Sequence, residues 1–145
     1  MQNMNSAFRM YEVDTGDFNV YEAYNYYSDV SSYEHLNAAG KGPMYEFEYS
    51  TREAYGDAAK WPQDAPLNAT FWHQVTEAME QDRELVNLQT FYQGRKSVKT
   101  PKCDTQECQD AKICYMRSGS TALSAGCIPG WVEQFKAVNL IGIID

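Results

Sequence analysis

Two aromatic-rich runs near the start constrain this chain more than any other feature. Residues 7–13, Ala-Phe-Arg-Met-Tyr-Glu-Val, and 18–27, Phe-Asn-Val-Tyr-Glu-Ala-Tyr-Asn-Tyr-Tyr, flank the tetrapeptide Asp14-Thr15-Gly16-Asp17. Aromatic and β-branched side chains suit strands, and Gly16 offers a tolerated positive φ in the connection, so the three pieces read as a β-hairpin. Side chains alternate along a strand, which puts Phe8 and Met10 on one face and Arg9, Tyr11 and Val13 on the other. Both faces are therefore substantially apolar. A lone hairpin is marginal in water, and one with two apolar faces belongs inside or at the edge of a larger sheet.

The rest of the chain reads as mainly helical. Ser28 to Gly42 has no clean period and is expected to be loop, with a helical turn around Tyr33 to Leu36. Tyr45, Tyr49 and Arg52 or Glu53 recur at helical spacing, which predicts a short helix from about Met44 to Tyr55, ended by Gly56. After the breaks Trp61-Pro62 and Ala65-Pro66 comes the strongest helical pattern, with Asn68 as N-cap and Leu67 and Trp72 at the positions of a hydrophobic staple. Its apolar stripe runs through Trp72, Val75, Met79 and Val86, flanked by Phe71, Ala78, Leu85, Leu88 and Tyr92, with Gln81-Asp82-Arg83 as a candidate break. The basic stretch Arg95 to Lys102 reads as a solvated connector, with contact to an acidic partner or an anionic lipid headgroup as the alternative; Glu107 to Tyr115 reads as a short helix, and the segment to Pro129-Gly130 as loop. Trp131 to Asp145 holds enough apolar residues for an amphipathic helix fraying into an apolar tail. The expected fold class is α+β, a hairpin region over residues 1–28 followed by a helical lobe over 29–145.

The chain's four cysteines, Cys103, Cys108, Cys114 and Cys127, lie close together and contain no CxxC pair of the kind that nucleates a zinc site. Disulfides are the better reading, and they imply an oxidising compartment. Four cysteines allow three pairings, of which loop closure favours Cys103–Cys108 with Cys114–Cys127. Closing the second of these loops is worth about 3 kcal/mol of lost chain entropy in the unfolded state. Asn68-Ala69-Thr70 is an N-glycosylation sequon, consistent with export.

The charge balance narrows the partners. The chain of 145 residues carries 20 acidic against 12 basic side chains, a formal charge of -8. That surplus repels phosphate backbones and anionic lipid, so nucleic acid is not an expected partner. No run approaches the roughly 18–20 apolar residues of a transmembrane helix, and Met1 to Ser6 lacks the pattern of a signal peptide. If the protein is exported, its signal is expected on sequence outside this one.

Residue types for catalysis are sparse. Metal-assisted phosphoester hydrolysis needs several His and Asp ligands converging on a cation, whereas this chain has two histidines, His35 and His73, with no HxH or HExxH spacing. The acidic pairs Glu46 and Glu48, Glu77 and Glu80, and Asp104 and Glu107 read as solvated surface in so acidic a chain. There is no GxSxG and no Gly-rich phosphate loop. The chain by itself is not expected to be an enzyme or to hold a cofactor.

Four segments in order carry a resemblance: Phe8-Arg9-Met10-Tyr11-Glu12-Val13-Asp14, Tyr49-Ser50-Thr51-Arg52-Glu53-Ala54-Tyr55-Gly56, the helix of Trp72 with Met79 and Asp82, and the four-cysteine tail. Together, over roughly residues 5–127, they resemble the C-terminal region of the acid sphingomyelinase-like phosphodiesterases. The resemblance implies a calcineurin-like metallophosphoesterase domain with a di-zinc centre upstream of Met1, so the zinc ligands would all lie outside this chain. It implies that the hairpin completes the sheet of that catalytic domain, the expected partner, and that the disulfides are two and local. It also implies secretion, or residence in a lysosomal or vacuolar lumen. Ser6 departs from the proline usual in relatives, and the tail from Trp131 has no counterpart. A stand-alone secreted module that binds protein or lipid is the competing expectation.

Overall fold

The computed structural model describes residues 4–127. The elements run β1 (Ser6–Val13), β2 (Val20–Ser28), a 3-10 turn (Val30–Ser32), α1 (Tyr33–Ala38), β3 (Glu46–Ser50), α2 (Thr51–Tyr55), α3 (Ala69–Gln81), α4 (Glu84–Gln93), α5 (Gln106–Arg117) and α6 (Thr121–Ser124). This is an α+β chain with its sheet at the N-terminal end. It divides into two compact units between Asp104 and Thr105. The run from Trp131, expected to be helical, lies outside the described residues.

β1 and β2 form the expected antiparallel hairpin, with Phe8 opposite Tyr26 and Met10 opposite Tyr24. The turn departs from expectation. Gly16 does not carry the positive φ; Phe18 does, at 60°. The Asp14 carboxylate draws in the turn by accepting from the Gly16 and Asp17 amides at 2.7 and 3.2 Å. Gly16 serves this close approach instead, since a Cβ there would lie 3.1 Å from Asp14 Oδ1. With the chain reversing through Phe18, the second strand starts at Val20.

Residues 44–55 are not one helix. Glu46–Ser50 forms a third strand antiparallel to β2, in the order β1-β2-β3, and only Thr51–Tyr55 is helical. Tyr26 lies opposite Phe47 and Asn25 opposite Tyr49, so Glu48 is the extra residue of a β-bulge. The bulge puts Phe47 and Tyr49 on opposite faces of the sheet although they are two residues apart. Tertiary pairing with β2 overrode the helical spacing of Tyr45 and Tyr49. Ser50 then caps α2 by accepting from the Glu53 amide at 3.2 Å.

The core of the first unit lies between the β2–β3 part of the sheet and the two following helices. Asn68 caps α3 as expected, accepting from the Thr70 and Phe71 amides at 3.0 and 3.1 Å. Phe71, Val75 and Met79 of α3 and Val86 of α4 are fully buried, whereas Trp72 is 43% exposed, so Phe71 rather than Trp72 begins the buried stripe. α3 ends at Gln81 and α4 begins at Glu84, which places the break where Gln81-Asp82-Arg83 interrupts the pattern. Tyr92 stacks on Tyr49 with ring centroids 3.8 Å apart, and Trp61 meets Phe71 edge-on at 5.7 Å.

In the second unit Thr105 caps α5 and Ser120 caps α6, a short helix where loop was expected. Ser-Thr-Ala-Leu-Ser supplies both the hydroxyl cap and one turn of helix. Cys114 and Cys127 are joined by a disulfide with Cα atoms 5.5 Å apart. Cys103 and Cys108 are oxidised as well, and no cysteine is free.

Candidate docking surface

The sheet is half covered. β2 sits between two neighbours and keeps Ala23, Asn25 and Ser28 buried, whereas β1 is exposed from Ala7 through Val13. Phe8 is 44% exposed and Met10 56% on one face, while Tyr11 is 57% and Val13 42% on the other. Residues of one strand on opposite faces are thus both in water. α2 accounts for part of this distribution, because it packs mainly on β2 and β3 rather than on β1.

Register and ring geometry define the open face. Phe8 and Tyr26 stack at 5.0 Å with planes 7° apart, Tyr45 meets Phe8 edge-on at 5.0 Å, and Phe47 meets Tyr26 at 5.6 Å. Met10 and Tyr24 extend the same row, and the Tyr24 hydroxyl donates to Glu12 Oε2 at 3.2 Å. Burial and this carboxylate push the Tyr24 phenol up from its ordinary range. On the other face Arg9 Nε donates to Asn25 Oδ1 at 2.6 Å, holding its guanidinium 6.0 Å from the Tyr11 ring. Phe18 projects from the hairpin turn, 77% exposed.

The outer edge of β1 has no partner strand among the described residues. Its outward N–H and C=O groups form a template for strand addition, and the aromatic row beside it offers apolar contact. Exposed apolar patches of this kind mark interaction sites more often than scattered surface residues do.

Other candidate residues are placed elsewhere. His73 Nε2 lies 3.2 Å from Glu77 Oε1 on an exposed turn of α3, and His35 sits on α1. Among the described residues no three His, Cys, Asp or Glu side chains converge as metal ligands. Glu46, Glu77, Glu80, Asp104 and Glu107 are exposed, but Glu48 is buried, which corrects its reading as solvated surface. Arg95 likewise is no solvated connector: its Nη1 lies 3.6 Å from Glu48 Oε2. Asn68 is exposed at the start of α3. No described helix is long and apolar enough to cross a membrane. The oxidised cysteines indicate folding in an oxidising compartment.

Sequence parity alone indicated the two apolar faces of β1. Tyr45 and Phe47 were missed as members of the surface, because the strand that carries Phe47 was read as helix; period-two alternation over Glu46-Phe47-Glu48-Tyr49 was the available signal. No protein-family model matches this chain, and no curated protein matches it.

Proposed function

We propose that the chain is the non-catalytic C-terminal structural module of a secreted or lysosomal acid-sphingomyelinase-like phosphodiesterase, docked through its sheet on the metal-bearing half. The observation that carries this reading is the exposure of β1 on both faces together with its unpartnered edge. A strand in that state is stabilised when another sheet continues it and another layer covers it. The order of segments from Phe8 to Cys127 supports the choice of partner. Zinc would be held by the partner, where it would activate water for attack on a phosphodiester. In a secreted protein Asn68 would carry a glycan on Nδ2, leaving Oδ1 to cap α3.

The test has two parts. Supplied with zinc, the purified chain should not hydrolyse sphingomyelin or a chromogenic phosphodiester above buffer. Added to the matching metallophosphoesterase half, it should gain hydrogen-exchange protection across Ser6–Val13. Turnover that survives removal of contaminants would overturn the non-catalytic role. Unchanged exchange in β1 would overturn the docked module. The stand-alone binding module draws support from the same open face and from Phe18, and a signal peptide abutting Met1 in the genomic sequence would decide in its favour.

A further inference from the structure

Two carboxylates are buried on the sheet, and their surroundings differ. Glu22 Oε1 accepts from the Ala23 amide at 2.8 Å and from the Arg52 amide at 3.2 Å. Glu48, the bulge residue of β3, has a wholly buried side chain, and neither of its oxygens accepts a hydrogen bond. Its ion-pair partner Arg95 stands 3.6 Å away, and the same Nη1 donates to the Tyr92 carbonyl at 3.1 Å. A buried carboxylate served by one shared and distant donor is poorly compensated for its lost water.

The turn that supplies Arg95 is strained and tethered. Arg95 and Lys96 both adopt the left-handed region, at φ 54° each, where side-chain-bearing residues are disfavoured. Asn5, immediately before β1, ties this turn down: its amide donates to the Gly94 carbonyl at 3.3 Å and its Nδ2 to the Arg95 carbonyl at 2.8 Å. Lys96 Nζ lies 5.1 Å from the Tyr27 ring. Opening the turn would relieve its backbone and hydrate Glu48, at the cost of these tethers.

We infer that Glu48 is an acid-operated latch: proton uptake by its carboxyl closes the Gly94–Lys96 turn on the sheet, and proton loss loosens the turn and with it the base of β1. The groups facing Glu48 are Arg9 from β1, Tyr27 from β2, Tyr55 from α2, Tyr92 from α4, and Arg95 and Lys96 from the turn. Burial pushes the three phenols up, away from acid pH. Burial also raises the Glu48 carboxyl, outweighing the opposing pull of Arg95, Lys96 and Arg9. An acid whose value is raised in the closed state binds its proton more tightly there. The closed state is therefore most favoured below the ordinary carboxyl range and loses that advantage as pH rises through the raised value. This latch would hold the edge strand firmest in an acidic lumen. It does not depend on which partner the sheet meets.

The Asn5 amide reports opening directly, since its acceptor is the Gly94 carbonyl. Its exchange should be measured from pH 4 to 7.5 in the wild type and in Glu48→Gln, corrected for the intrinsic pH dependence of exchange. In the wild type the opening ratio should rise, by up to tenfold per pH unit, through the Glu48 titration. In Glu48→Gln it should stay low and flat, meeting the wild type at pH 4. Parallel profiles in the two proteins would overturn the latch. A carbon-13 titration of the Glu48 carboxyl in the wild type decides the matter if the variant does not fold: a midpoint at or below the ordinary carboxyl range would also overturn it.

Discussion

Arg52 donates from its side chain to the backbone carbonyls of Tyr21, at 2.7 Å, Pro62, at 3.0 Å, and Ala65, while its amide reaches Glu22. One guanidinium thereby joins β2, α2 and the loop that leads into α3. Lysine cannot reproduce that fork of planar donors. Arg52→Lys should cost about 2 kcal/mol, because at least one carbonyl loses a charge-assisted hydrogen bond in a partly buried setting. A denaturant midpoint that moves by less than the error of the measurement would show that the carbonyls find water instead. Nothing in the sequence marks Arg52 for this role, since its acceptors lie up to 31 residues away. Asn68 differs: an Asn after a proline break and before an apolar run is legible as a cap, because its bonds reach only two and three residues ahead.

At the scale of elements, β1 carries apolar residues that are only about half covered, and Met10, 56% exposed, contributes little to the stability of the first unit. Met10→Lys should therefore change stability by less than about 0.5 kcal/mol, as ordinary surface substitutions do. The open edge of β1 beside the aromatic row should make the isolated chain self-associate at high concentration, and the same change places a charge in that row, so it should suppress this association and weaken docking of any sheet partner. Light scattering of the two proteins at high concentration compares them. A large loss of stability in Met10→Lys would mean that β1 is covered from within the chain. The hairpin itself was readable from the aromatic and β-branched residues of its two runs, although the positive φ expected at Gly16 falls on Phe18. β3 was not, because the alternation over Glu46-Phe47-Glu48-Tyr49 spans only four residues and competes with the helical spacing of Tyr45, Tyr49 and Arg52, and pairing with β2 depends on residues 19 to 26 positions away.

For the whole molecule, the cysteines test how much the second unit relies on covalent closure. The Cys114–Cys127 bond spans a sequence separation of 13 and joins the C-terminal part of α5 to the segment after α6. Replacing both residues by serine should destabilise this unit by about 3 kcal/mol through the entropy returned to its unfolded state. Limited proteolysis should then cut between Cys108 and Cys127 well before the first unit is touched, whereas simultaneous cleavage of both units would show that they unfold together. The sequence by itself determined the hairpin, the capped helix at Asn68 with its break before α4, the helical α5 and the acidic balance, all of which rest on contacts or composition within a few residues. Only the tertiary structure decided that residues 46–50 join the sheet, that Arg52 and Asn5 tie distant segments together, and that Glu48 is buried without hydrogen bonds. Those outcomes depend on which segments meet in space, and the energy that decides them comes from pairing and burial between partners that local spacing does not reveal.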